Sequence, residues 1–512
     1  MKKKAIIAIA ALLTFGQPAW ADVTPTGSWT DYKAESFSTI ETNSITITSE
    51  EELALLAYNV NNGIEDYEGY TITLKKNLDL SAHYWVPIGM EAYDEQQILL
   101  YNKAFKGTFN GTEKTISGIT VDTADDWGVG LFGFISKATI KNLTITESSF
   151  IANGFVGAIA GSSAGVSNHV YPIIENCHVT GSVTVSAIDF GAGGIIGIDN
   201  DNLTIKDCTS AAMVTSSDPN SRPGGIIGVA YDDVVMATIV DSYHLGDMRA
   251  IGENGGQSGH VTINITLLND DSGEGTVKNT TRISNYNGET ANVTLNGRTL
   301  SKSQWNTLCL PFSMDADQIA ASSLNGATIK ELDAENSNLA ANGTLTLTFS
   351  DVSSITAGKP YIVKWASGEN ISNPVFYGVT INAMAPTAVT FTNNVNAYGD
   401  CKFVGQYSPF SITDGNKNEI IMLGANSKLG YSKNERTLKC FRAHFYVPAN
   451  GGGAPARAFV MDFGDGETTE IIGATADQRS ASATYTLDGR RINDLPTQKG
   501  MYIQNGRKVI IK

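Results

Sequence analysis

Three pairs of neighbouring acids, Asp125-Asp126, Asp232-Asp233 and Asp270-Asp271, are the residues of this 512-residue chain with the most obvious acid–base potential. Glycosidic hydrolysis needs two carboxyl groups about 5–9.5 Å apart, one on each side of the bond. Neighbours along a strand point to opposite faces, so an adjacent pair is badly placed to flank one bond. All three pairs sit in polar stretches where solvated turn acids are the rule. The six histidines (His83, His169, His178, His244, His260 and His444) do not pair at metal-ligand spacing. The stretch DFGDGETTE at 462–470 has the look of a calcium loop but lacks the alternating ligand positions and the closing Glu. No G-x-S-x-G elbow stands between a strand and a helix. These residues assign no catalytic group, no metal ligand and no cofactor. Among the tryptophans, Trp305 and Trp365 lie in apolar strand phrases and read as core. Trp127 follows TADD and reads as the best exposed ring for a ligand.

The chemistry-like phrase that recurs most is made of glycine. GGIIG occurs at 193–197 and 224–228, with looser copies VGLFG at 129–133 and GAIAG at 157–161. A phosphate-cradling loop would need a strand-to-helix junction and usually a Lys, and neither is present. Each Gly phrase is followed by a second phrase, beginning at Ile140, Ile174, Ile205 and Ile239, which are 34, 31 and 34 residues apart. Self-similarity at that period marks a stacked repeat. The runs around it (ATIKNLTIT, CHVTGSVTV) alternate apolar and polar as strands do, and no helical stretch of ten or more residues intervenes. The expected fold is all-β: a right-handed parallel β-helix, then a β-sandwich and a small C-terminal β-hairpin module. In this solenoid the glycines serve corners through positive φ or close backbone approach. Asn142, Asn176, Asp207 and Asp241 occupy one slot of successive coils and are expected to stack as a ladder. Cys177 and Cys208 share the next slot and are expected to be stacked, buried free thiols, although their spacing is within reach of a disulfide.

The Gly phrases and their Ile partners resemble the GLUG-repeat β-helix proteins of bacterial surfaces. ITSEEELALLAYNVNNG at 47–63 is similar to the short helix that opens such solenoids. There Ser49 and Glu52 form a capping-box signature, and Leu53, Leu56 and Val60 share one face. TITLKKNLDL (71–80), WVPIG (85–89) and FKGTFNGTEKTISGI (105–119) are similar to that family's first coils. From about Val293 the repeat gives way to short strands such as WNTLCLPF, AGKPYIVKW and FRAHFYVP. These resemble a sandwich module of exported proteins in Bacteroides-like and Prevotella-like bacteria. The last stretch, YTLDGRRINDLPTQKGMYIQNGRKVIIK, resembles the sorting domains read by type IX secretion machinery, the implied partner of the tail. The alternative is a terminal strand pair packed on the sandwich.

The start, MKKK followed by an apolar run and Ala19-Trp20-Ala21, has the three parts of a cleavable export signal. No later segment is apolar enough to span a bilayer. Loss of residues 1–21 takes three Lys away and moves the formal charge from −16 to about −19. So acidic a chain repels phosphate backbones, which excludes nucleic acid as a partner. Five Cys are too few for a disulfide scaffold, and 51 Gly exceed the roughly 36 of average usage, as a turn-rich β protein requires. The divisions expected are a signal (1–21), an extension (22–44), the solenoid (45–290), the sandwich (291–470), a linker (471–483) and the tail (484–512). Two function classes remain open. One is a non-catalytic, secreted or cell-surface adhesin that binds a glycan or protein through loops between the Gly phrases. The other is a carbohydrate-active enzyme of the β-helix class.

Overall fold

A computed structural model describes residues 24–464, apart from 94–98, 124–126, 165–169, 189, 218–220, 231–236, 255–260, 396–398 and 450–453, together with short strands between 472 and 511. The chain is almost entirely β, with about 9% helix and a solenoid of about seven turns. The signal region, the acid pairs at 125–126 and 232–233, and all of the linker except Ile472–Gly473, which pairs as a strand with Ala458 and Phe459, lie outside the described residues.

The Ile repeat is the spine of the solenoid. Ile140 pairs with Ile174, Ile174 with Ile205, and Ile205 with Ile239, each in parallel register. The column extends upstream through Phe109, Ile72 and Ile45, and downstream through Ile263 and Ala291. All nine side chains are at most 3% exposed, so the column forms one wall of a narrow apolar core. Identical positions stack because each coil contacts only its neighbours, and a one-residue slip would turn every Ile to solvent.

Each Gly phrase straddles a corner between two further parallel sheets. One holds Gly128–Val129, Phe155–Gly157 and Ala192–Gly193. The other holds Phe132–Ile135, Ala160–Ser163, Ile196–Asp199 and Ile227–Ala230. The corner residues Leu131, Ile159, Ile195 and Ile226 point inward and are fully buried. Of the two roles expected for the glycines, these use close approach. Gly130, Gly157, Gly193 and Gly224 do not have positive φ. A Cβ on Gly193 would lie 2.9 Å from Ile196 C and closer still to Ile196 O and Gly228 N. The left-handed backbone falls instead on Asn142 (φ 54°), Asn176 (49°), Asp207 (52°) and Asp241 (44°). Asn and Asp tolerate that region better than other side-chain-bearing residues.

Both ends of the long parallel sheet are closed by antiparallel strands. Thr39–Glu41 folds back on Ser44–Ile47 at the start. At the other end Val375–Thr380, from the sandwich, runs antiparallel to Thr290–Asn296. The last parallel strand therefore crosses the boundary placed at 290/291. One apolar cluster runs without a break from Trp29 through the coils to Phe312, Phe376 and Phe441. The helix Glu50–Asn61 covers the first coil with Leu53, Leu56 and Val60 fully buried. Its capping box is only half formed. Ser49 Oγ accepts from Glu52 N at 3.2 Å, but the Glu52 carboxylate turns away to accept from Ser38 N and Thr48 N, each at 2.6 Å. Burial alone would raise the Glu52 carboxyl, yet these donors outweigh it and hold it below the ordinary range.

Beyond residue 300 the chain forms the β-sandwich, around a second core containing Phe349, Phe391, Phe403, Phe445 and Phe459. Phe403 and Phe445 stack at 4.5 Å. Where a hairpin was expected at the C-terminus, four short strands pair: Thr484–Thr486, Arg491–Ile492, Gly500–Gln504 and Arg507–Ile511.

Candidate functional site

Trp127 stands at the edge of the first Gly phrase and is 55% exposed. Trp85, Trp305 and Trp365 are 1%, 7% and 7% exposed, as core residues should be. Trp127 is not alone. Its ring centroid is 5.2 Å from that of Phe190, and Phe190 is 5.2 Å from Phe155, with interplanar tilts of 46° and 47°. Phe155 and Phe190 are both half-buried. The three residues come from successive coils, each just before the corner.

Register explains how they meet. Phe155 pairs with Gly128, and Val156 with both Val129 and Ala192, so Gly154 holds the slot that Trp127 and Phe190 hold in the coils on either side. Two strands of a sheet lie about 9.6 Å apart across one intervening strand. The indole and the phenyl ring close that gap by leaning over Gly154. A Cβ on Gly154 would sit 2.5 Å from Trp127 C and Cα, both backbone atoms, so only Gly lets the two coils approach this closely. Beside the row lies a pocket of about 150 Å³ lined by Asn61, Met90, Glu91, Trp127 and others. Under it, Ser162 Oγ donates to Glu91 Oε1, and Asn200 Nδ2 reaches Ser162 Oγ at 3.4 Å. The sequence pattern points to Trp127 but not to Phe155 and Phe190. The available signal was an aromatic residue two or three positions before a Gly phrase in three coils.

The Asn/Asp slot divides into two kinds of contact. Asn142 donates to Asn110 Oδ1 and Asn176 donates to Asn142 Oδ1, both at 3.0 Å, giving an amide ladder over three coils. The ladder stops at Asp207, whose carboxylate has no proton to donate and instead lies 3.6 Å from Lys206 Nζ. Asp241 accepts from Thr266 N at 2.6 Å, Thr266 Oγ1 at 2.9 Å and Tyr243 OH at 2.8 Å, which ties its corner to the next coil. Cys177 and Cys208 are both fully buried and unbridged, and their Sγ atoms face Ile140 O and Ile174 O in matching positions. Burial, with the neighbouring Cys208 thiol, pushes the Cys177 thiol well up. Such thiols are poor nucleophiles.

The described acid pair does turn work. Asp271 is 2% exposed and accepts from Asn279 N at 2.7 Å, while Asp270 accepts from Ser272 N and Oγ. Asp199 is also buried, and burial raises its carboxyl although Ser163, Asp201 and Leu203 donate to it. Burial likewise lowers His444 to about 4. Among the described residues no three His, Cys, Asp or Glu side chains gather as metal ligands. No helix among them is long and apolar enough to cross a membrane.

No family model matches the chain. It is 41% identical over 97 residues to halomucin of Haloquadratum walsbyi, covering 19% of this chain and 1% of that protein. It is 31% identical over 113 residues to a protein named as a Gly-rich membrane protein in Evansella cellulosilytica, covering 20% of this chain and 12% of the relative. The chain thus spans only a small fraction of either relative's length. A solved structure from Bacteroides ovatus, assigned as an immunoglobulin A1 protease, aligns at 19% identity with a TM-score of 0.29, over 46% of this chain and 67% of that one.

Proposed function

We propose that the chain is an exported, adhesin-like binding protein of the GLUG-repeat kind, which presents the solenoid wall to a glycan or protein ligand. The observation that carries the reading is the partly exposed aromatic row Trp127–Phe190–Phe155, built across three coils. Large aromatics are normally drawn inside, and rings held at the surface by a rigid sheet are what recognition sites use. The export-type leader fits this role, and so do the names of two relatives, halomucin and a Gly-rich membrane protein. The four-stranded tail serves in this reading as an address for type IX-like secretion machinery. A solenoid suits the task because stacked coils give an extended face on which neighbouring side chains keep fixed spacing.

The test is a glycan array and a protein-ligand screen with the mature chain, run beside a polysaccharide-degradation assay. Saturable binding without degradation is the expected result. Turnover of any polysaccharide would move the chain into the β-helix enzymes instead.

A further inference from the structure

We propose that Trp127, Phe190 and Phe155 form a track for one neutral polysaccharide chain; this deepens the binding role above and rests on it. Trp127 and Phe190 hold the same register slot two coils apart, and Phe155 comes from the coil between them, one position farther along its strand, so the track is a short patch spanning three coils. Tilts of 46° and 47° make it stepped, unlike the flat apolar plane that an amphipathic helix or a second sheet would need. A pyranose chain is itself stepped. Each sugar offers a C–H face to a ring and hydroxyls at its edge, which is the amphipathic match for a partly wet aromatic surface.

The polar surroundings choose among polysaccharides. Glu91 lines the pocket next to Trp127. Carboxylates accept hydrogen bonds from sugar hydroxyls but repel uronates and sulfate esters. The chain's net charge of −16 adds a long-range term of the same sign. The pocket of about 150 Å³ has room for a substituent of one sugar. Gly154 is the positioning residue for Trp127, since its missing side chain lets the Trp127 backbone lie close against the next coil.

Native affinity electrophoresis of the mature chain in gels containing soluble glucan, xylan, mannan or galactan tests this, with alginate and polygalacturonate as anionic comparators. At least one neutral polymer should retard the protein. Trp127→Ala should weaken that retention about tenfold or more, the scale of a central aromatic anchor. Phe190→Ala should weaken it several-fold. Tyr377→Ala, which removes a ring 55% exposed on the sandwich, should leave it unchanged. Trp127 is on the surface, so its variant should keep the parent melting temperature, and Trp127→Phe should restore most of the retention. Retention that survives Trp127→Ala, or that appears only with the anionic polymers, overturns the track while leaving a binding role elsewhere on the solenoid intact. Failure of every polysaccharide overturns the track as well. If the protein-ligand screen is also empty, the binding role falls with it.

Discussion

Replacing Gly224 with alanine adds one methyl group at a corner that has no room for it. The new Cβ would lie 2.9 Å from Ile227 C and nearer still to Ile227 O and Gly252 N. All three are backbone atoms, so no side chain can swing aside. Relief needs the Gly phrase to move against Ile227, and Ile227 is in parallel register with Ile196 and bridged to Ile251, so the strain passes to both neighbouring coils. Overpacking in a well-packed core costs about 1–3 kcal/mol when side chains can adjust. A purely backbone clash should reach the upper end, about 3 kcal/mol. The matched control is Gly430→Ala. Gly430 has ordinary φ, and a methyl added there would meet nothing within 4 Å, so that change should fall within about 0.5 kcal/mol of the parent. Urea unfolding gives the free-energy difference. Hydrogen exchange should localise the damage to amides of residues 192–230 and 250–252, because a solenoid opens coil by coil. If Gly224→Ala unfolds within about 0.5 kcal/mol of the parent, the close-approach account of the repeated glycines is wrong.

Ile174→Ala should cost about 3–4 kcal/mol, since the side chain is fully buried in the middle of the column; a loss under about 1 kcal/mol in urea melts would show that the column is loosely packed. His444 is 3% exposed, and burial lowers it to about 4. It therefore folds neutral, and its stabilising effect is present above its unfolded value of about 6.5 and is lost as pH falls towards 4, a change of about 3 kcal/mol. His444→Gln should flatten the pH dependence of stability in that window, and an unchanged profile would refute the assignment. All five thiols are buried, and burial pushes Cys309, Cys401 and Cys440 up to about 12. Alkylation of the native protein at pH 8 should be slow, and the denatured, unreduced protein should take up five labels; three labels would reveal a bridge.

The coil register was legible because it rests on one repeated letter. Ile140, Ile174, Ile205 and Ile239 must all face the same core, so their spacing alone sets which strand lies on which. The sequence could not say which conformational job the glycines do, because close approach depends on atoms 3 to 28 residues away, such as Ile227 O and Gly252 N above Gly224. The closing strand Val375–Thr380 was invisible for a related reason. It pairs with residues about 80 positions earlier, and its pattern VFYGVT looks like any sandwich strand. Glu52 departs from the capping box because its carboxylate takes donors from a neighbouring loop, Ser38 and Thr48, over its own helix terminus. The aromatic row was half legible. Phe155 sits one register position later than Trp127 and Phe190, so the motif never repeats letter for letter.

Antiparallel closure of both ends separates the length of the rod from its termination. The first strand pair and the strand Val375–Thr380 pair with terminal coils only, so neither senses how many coils lie between. An in-frame duplication of one period between Ile140 and Ile239 would insert a coil that finds its own partners above and below, while both terminal strands stay as they are. Lengthening would also move the aromatic row farther from the sandwich, or copy it. Such a gene can vary the reach and valency of its product by unequal recombination, with no compensating change at either end.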